Sequence, residues 1–330
     1  MNDAGVRTTA TRSSGAADPL AGMTIAGCKI LRRIGNRAAG IVYDAQRLAD
    51  AKRVALRLLA PESVAKDPTV VARFLRQGEA LTQIRHAHLV RVHTTGEDVG
   101  FAYWIMDLVE GASLVEIVQA AGRMPWNQAA LIMRHIVEAA AVAQDAGVEL
   151  AGISPATVII TSSGDAKLVD QTLARILIKP PSQTQQPLLG VAFTPPEDLD
   201  PQAHPTPASV VYRLGATLYF AVTARPPYDG GDAAAISEQI LERPVRPAKA
   251  HAEGLPNGAD LLIQWTMERK PEQRPATPHE LLTALDQAIS RPDETGLLRA
   301  QKTPPTNWTP IIVCTAGLLV AALLAWLVLH

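Results

Sequence analysis

The sequence predicts an α+β protein of two lobes, followed by a single membrane-spanning helix. Short apolar stretches broken by Gly, Asn and Asp fill residues 27–59 and read as strands. Apolar positions at helical spacing dominate after residue 112. Strands first and helices after is the order of an α+β chain. A third feature, an uncharged apolar run at 311–329, predicts the terminal helix.

The 330 residues suffice for one large domain or two modest ones with a sizeable core. Net charge is −1, from 31 basic and 32 acidic residues, and there is no Lys/Arg-rich run. That balance argues against a nucleic-acid partner. The two cysteines, Cys28 and Cys314, lie in different kinds of segment, so no disulfide framework is expected. A reducing, cytoplasmic compartment is expected for the soluble part.

Residues 1–23 are rich in Ala, Thr, Ser, Gly and Asp and lack the apolar core of a signal peptide. Residues 1–24 therefore read as a disordered tail. After the strands of 27–59, residues 69–84 carry a helical pattern, and strands are expected at 89–95 and 102–106. Helices are expected at 112–121, 126–146, 206–223, 232–242, 257–269 and 277–289. These elements make one domain at 25–289, with a small lobe at about 25–107 and a large lobe at about 108–289. Residues 290–309 are rich in Pro, Thr and charge and read as a linker to a helix at 310–329.

The 19 residues at 311–329 would span roughly 28 Å as a helix, close to the hydrocarbon thickness of a bilayer. Trp308 and Trp326 sit near its ends, where indole rings suit the headgroups. Arg291, Arg299 and Lys302 precede the run and only His330 follows it. The positive-inside rule then places the domain in the cytoplasm, as a tail-anchored, single-pass protein of the cell (inner) membrane with no extracellular sensor. Gly317 and Ala321 form a small-xxx-small pair that could support a homodimer.

Several segments stand in order at spacings of a known family. Gly35, Gly40 and Val42 fall as in the phosphate-covering loop G-x-G-x-x-G-x-V, and Val54-Ala55-Leu56-Arg57 is similar to V-A-I-K. Arg73, Phe74, Arg76 and Gln77 are similar to the R-F-x-R-E that opens the C-helix, and residues 84–90, with His86, resemble L-x-H-P-N-I-V. Residues 103–107 followed by Glu110-Gly111 look like the hinge. Residues 147–157 occupy G-x-x-H-R-D-x-K-P-x-N, residues 167–172 occupy K-L-x-D-F-G, and Pro195-Pro196-Glu197 resembles A-P-E. Residues 211–219 and 225–228 look like the central helix of the large lobe, and residues 270–275 like K-x-P-x-x-R-P. Over about 27–289 the chain resembles the bacterial serine/threonine protein kinase family, which implies that family's two-lobed fold.

The resemblance also implies where the chemistry would lie. In such enzymes a lysine oriented by a C-helix glutamate holds phosphates, an aspartate accepts the hydroxyl proton, and an asparagine and the D-F-G aspartate hold Mg²⁺. Here the base position is Gly152, which has no side chain to take a proton. Leu150 and Ala151 replace His and Arg, Ser154 replaces Lys, and Thr157 replaces the metal-binding Asn. Arg57 keeps the charge of the lysine but not its shape, and Gln77 replaces the glutamate. Glu79, two residues on, points about 200° away on a helix. Asp170 is the one retained acidic residue, a metal ligand or else a turn residue, with Gln171 and Thr172 in place of Phe and Gly. Arg37 stands at the middle glycine. Val42, Ala55, Met106, Val109 and Ile159 would line an apolar adenine slot, and Gly35 and Gly40 would cover the phosphates. Glu197 and Arg274, a buried ion pair in the family, are both present, as are Gly215 and Leu218 of the central helix. His86, His88 and His93 do not have metal-ligand spacing and read as core or loop residues.

Decay at the site with the braces kept implies a catalytically impaired pseudokinase, a signalling scaffold or regulator whose partners are other proteins, a kinase among them. ATP and Mg²⁺ binding would be weak or absent. Two alternatives stay open: a sensor that binds ATP without turning it over, and a weakly active atypical kinase using Arg57, Asp170 and a base from elsewhere. Regulation by activation-loop phosphorylation is not expected in the family's usual way, since Ala151 stands where an Arg would receive the phosphate.

Overall fold

A computed structural model describes residues 18–37, 40–59, 64–65, 69–169, 188–200 and 203–293. The tail before residue 18, most of the linker, the 310–329 helix and Asp170 to Thr172 lie outside the described residues. Among the described residues no helix is long and apolar enough to cross a membrane. The chain divides into two compact units, one of Met1–Ile117 with Glu138–Gln186, the other of Val118–Val137 with Pro187–His330.

The first unit is built on an antiparallel sheet. Its strands are β1 (Thr24–Ile25), β2 (Cys28–Arg37), β3 (Gly40–Arg47), β4 (Arg53–Leu59), β5 (Val92–Asp98) and β6 (Phe101–Asp107), in the order β1-β2-β3-β4-β6-β5. Alternation along β4 sends Val54, Leu56 and Leu58 to one face, where they bury with Ile30, Tyr43, Ala45 and Ile105. Helix α1 (Thr69–Thr82) has a polar outer stripe and buries Val70, Phe74, Gln77, Gly78 and Leu81. A small second sheet joins β7 (Ala112–Ser113), β8 (Val158–Ile160) and β9 (Ala166–Leu168). Helix α2 (Leu114–Ala121) opens on a capping box: the Ser113 hydroxyl accepts the Glu116 amide at 3.2 Å, and the Glu116 carboxylate accepts the Ser113 amide at 2.7 Å. The 20-residue α3 (Trp126–Asp145) belongs to the second unit as far as Val137 and to the first from Glu138.

The first expected strand after α1 is displaced. The sequence pattern places it at 89–95, but β5 runs over Val92–Asp98. Leu89 bridges to Leu168, and the Val90 amide donates to the Leu168 carbonyl at 3.0 Å. The backbone groups of 89–90 are thus satisfied by a different partner from those of β5, and apolar alternation cannot tell one partner from another.

In the second unit, α4 (Pro207–Thr223) is buried from Ser209 to Thr223. Thr206 caps it by accepting the Ser209 amide at 3.2 Å, Pro207 begins it, and Ala224 closes it in the left-handed region at φ 56°. Against it pack α6 (Asn257–Thr266) and α7 (Pro278–Ser290), while α5 (Ala233–Glu242) packs on the turn at Pro196–Leu199. The sequence pattern carries α6 to residue 269, but the helix stops at Thr266. The freed carbonyls of Glu268 and Arg269 accept from Arg274 at 2.6 and 2.9 Å.

Gly215 is where α4 meets α6. A β-carbon there would overlap the Thr266 side chain. Gly215→Ala is therefore expected to cost about 1–3 kcal/mol by overpacking, although alanine is the better helix former. Urea denaturation would show it as a fall in midpoint at constant slope; an unchanged midpoint would mean that the helices separate freely.

Candidate functional site

The strand registers assemble the first part of the site. Val42 lies opposite Arg57, Ala55 opposite Met106, and Arg57 opposite Trp104. Directly opposed residues share a face, so Val42, Ala55, Arg57, Trp104 and Met106 form one side of the sheet. Val42, Ala55 and Met106 are buried, and Val109, in the segment after β6, and Ile159, in β8, are half-buried. Gly35 lies in β2 and Gly40 starts β3. A β-carbon on Gly40 would overlap the Leu58 carbonyl oxygen, so this glycine is already required by the packing of β3 on β4.

Arg57 is 1% exposed, with its guanidinium 5.1 Å from the centre of the Trp104 ring. Trp104 stacks on Phe74 of α1 at 4.5 Å, and its indole N–H donates to the Phe74 carbonyl at 3.1 Å. The indole sits so close to α1 that a β-carbon on Gly78 would overlap it. Gln77, at the position of the C-helix glutamate, is buried, and its side-chain oxygen accepts the Glu149 amide at 2.9 Å. Glu79 is exposed, so it does not stand in for Gln77.

The loop at the catalytic position closes on itself. Leu150 and Ala151 are buried. Thr157 is buried; its hydroxyl accepts the Ser154 amide at 3.0 Å and points its proton at the carbonyls of Ser154 (2.9 Å) and Gly152 (3.2 Å). The Thr157 amide in turn donates to the Ser154 carbonyl at 3.0 Å. Ser154 and Gly152 are half-buried. His86 accepts the His88 amide at 3.3 Å, and His88 contacts the Ala166 carbonyl at 2.9 Å. Burial, and then the neighbouring His88, lower the pKa of His86. His93 contacts the Asp107 carboxylate at 2.8 Å. These are loop and strand contacts. Among the described residues no three His, Cys, Asp or Glu side chains form a group that could hold a metal ion.

A magnesium–nucleotide needs free anion and cation ligands. Among the described residues, Gly152 has no side chain, the Thr157 hydroxyl is committed to its own loop, Gln77 is committed to Glu149, and Arg57 is buried against an indole. Asp170, the acidic position that would hold a metal, lies outside the described residues. The apolar set of Val42, Ala55 and Met106 has the character of a site for a flat uncharged ring.

In the second unit, Glu197 and Arg274 pair through two bonds of 2.6 and 2.9 Å. A second buried pair, Arg213 to Asp198 at 2.9 Å, accompanies it. Sequence reasoning missed this second pair, and it missed Trp104, Gly78 and Glu149 as parts of the site. A glycine inside an amphipathic helix was the available signal for a close approach at Gly78.

A family model described as the protein kinase domain matches residues 28–285. The serine/threonine-protein kinase PknE of Mycobacterium tuberculosis is 26% identical, over 86% of this chain and 50% of its own. PknL of the same organism is 28% identical, over 73% of this chain and 60% of its own. The chain spans about half the length of the curated relatives it matches. The crystal structure of the M. tuberculosis PknI kinase domain superposes with a TM-score of 0.63 at 23% identity, covering 81% of this chain and 98% of that domain. Proteins of this fold generally bind ATP and Mg²⁺. With its two-lobed fold and a match from Cys28 to Leu285, the chain belongs to the bacterial serine/threonine protein kinase family.

Proposed function

We propose that this chain is a membrane-anchored pseudokinase, a signalling scaffold or regulator that binds protein partners and does not transfer phosphate at a useful rate. The carrying observation is Gly152 at the base position. A positioned base is worth about 10²–10⁴ in rate, and glycine supplies none of it. The commitments of Gln77 and Thr157 support the same reading, because the groups that would orient phosphate and metal are bonded elsewhere. Membrane attachment rests on the uncharged run at 311–329 and its basic flank, and the same run supports a homodimer.

The test is a transfer assay on the full chain, prepared from membranes that have been washed with alkaline carbonate. The chain is expected to stay with the membrane pellet. Phosphate incorporation into itself and into a generic acceptor is expected to be at least about a hundredfold below that of an active kinase domain. Gly152→Asp alone is expected to recover less than about tenfold, since members of such constellations act together. Transfer within tenfold of the active control would favour the atypical-kinase reading, which the names of the relatives support. Release by carbonate would remove the anchor.

A second reading, an ATP sensor without turnover, is favoured by the shared apolar face of Val42, Ala55 and Met106. A Mg²⁺-dependent rise in melting temperature with ATP, in a chain silent in transfer, would select it.

A further inference from the structure

We infer that α1 is a fixed element, fastened by a two-point clamp of neutral groups that needs neither nucleotide nor metal. The first point is Gln77, whose buried side-chain oxygen accepts the Glu149 amide at 2.9 Å and so ties the middle of α1 to the loop that follows α3. The second is Trp104 of β6. Its ring stacks on Phe74 at 4.5 Å, its N–H donates to the Phe74 carbonyl at 3.1 Å, and the missing β-carbon of Gly78 leaves the room it occupies. Phe74, Gln77 and Gly78 lie within about one turn on one face of α1, so both points hold the same stretch.

The chemistry of the clamp matters more than its existence. In the arrangement that the family resemblance implies, a lysine and a glutamate on this helix form an ion pair around a nucleotide. A helix held that way responds to what fills the site. Here both hydrogen bonds join uncharged partners, the Trp104 bond buried and the Gln77 bond part-buried, and neither depends on a bound ion. The cation of this interior, Arg57, faces the Trp104 ring at 5.1 Å and so adds to the second point. This inference holds whether or not the chain transfers phosphate, and its failure would leave the transfer assay unaffected.

Hydrogen exchange of the full chain in detergent tests it. The amides of α1 are expected to exchange as slowly as those of β4, with and without millimolar ATP and Mg²⁺. Gln77→Met keeps the volume and removes the acceptor, and is expected to speed exchange in α1 and at Glu149 about tenfold while β4 and α4 stay unchanged. Gln77→Glu keeps an acceptor and is expected to stay within about threefold of the parent. Should Gln77→Met not fold, Trp104→Phe keeps a stacked ring and removes the indole donor with the ring atoms that fill the space at Gly78, and α1 alone is expected to loosen several-fold. Faster exchange of α1 than β4 in the parent, slowing of α1 by Mg²⁺ and ATP, or equal effects of Met and Glu at position 77 would each overturn the inference.

Discussion

Arg274→Ala is expected to lower the unfolding free energy of the second unit by about 3–5 kcal/mol, the usual cost of stripping one partner from a buried ion pair. Arg274 uses its whole fork: two bonds to the Glu197 carboxylate at 2.6 and 2.9 Å, and one each to the carbonyls of Glu268 (2.6 Å), Ala208 (3.1 Å) and Arg269 (2.9 Å). Its guanidinium also covers the Tyr212 ring at 4.9 Å. Alanine would leave a half-buried carboxylate and three carbonyls without these donors. Lysine, a point charge, is expected to rescue little. Urea unfolding followed by far-UV signal would read the loss; a midpoint within error of the parent would show that water replaces the fork at no cost.

The same pair sets an acid sensitivity. Burial alone would raise the pKa of Glu197, but the bonds and charge of Arg274, with the Ser209 hydroxyl, outweigh it and hold the carboxyl below its ordinary value of 4.5. A carboxyl lowered in the folded state contributes stability that is full above its unfolded pKa. That contribution is lost as pH falls below 4.5 and through the lowered folded value. Part of the parent's loss of stability below pH 4.5 is therefore expected to be missing from Arg274→Ala.

Trp104→Ala is expected to cost the first unit about 3–5 kcal/mol, the range for deleting a buried large aromatic. The ring is fully packed: Phe74 against it, Arg57 at 5.1 Å and the bare backbone of Gly78 beside it. Alanine would open a cavity that these neighbours cannot close without moving α1. It would also leave Arg57 buried without its ring. A near-UV dichroism melt should show an earlier, broader transition. A loss under about 1 kcal/mol, small for a cavity of this size, would mean that α1 collapses onto β6 and refills the space.

Much of the fold was legible because its signals are local. Apolar spacing lies within the helices it specifies. Glu197 and Arg274, 77 residues apart, were legible only through the family's motifs. What could not be read is contact between distant segments of unremarkable residues. Nothing local tells Gln77 to bond the Glu149 amide, or Leu89 to bridge Leu168 rather than extend β5. Nor does anything local tell Asp198 and Arg213 to bury together, as they do. Asp44, inside an apolar strand, is held by the exposed arginines Arg32 and Arg53. At the candidate site the sequence gives the residue at each motif position, and the packed structure says what each described one bonds.

The first unit is drawn from two stretches of chain, 1–117 and 138–186, with part of the second unit's chain between them. A nascent chain that has emerged only to residue 117 lacks Glu149, to which α1 is tied, and lacks β8 and β9, the partners of β7. Synthesis must run past Leu168, the end of β9, before these contacts can form. During that interval α1 and β7 wait without these partners, at the roughly 5–20 residues per second of translation. A fragment cut at the end of the strand-rich segment would reproduce that unfinished intermediate, not a miniature of the protein. A fragment library for partner mapping should therefore start from pieces that reach beyond Leu168.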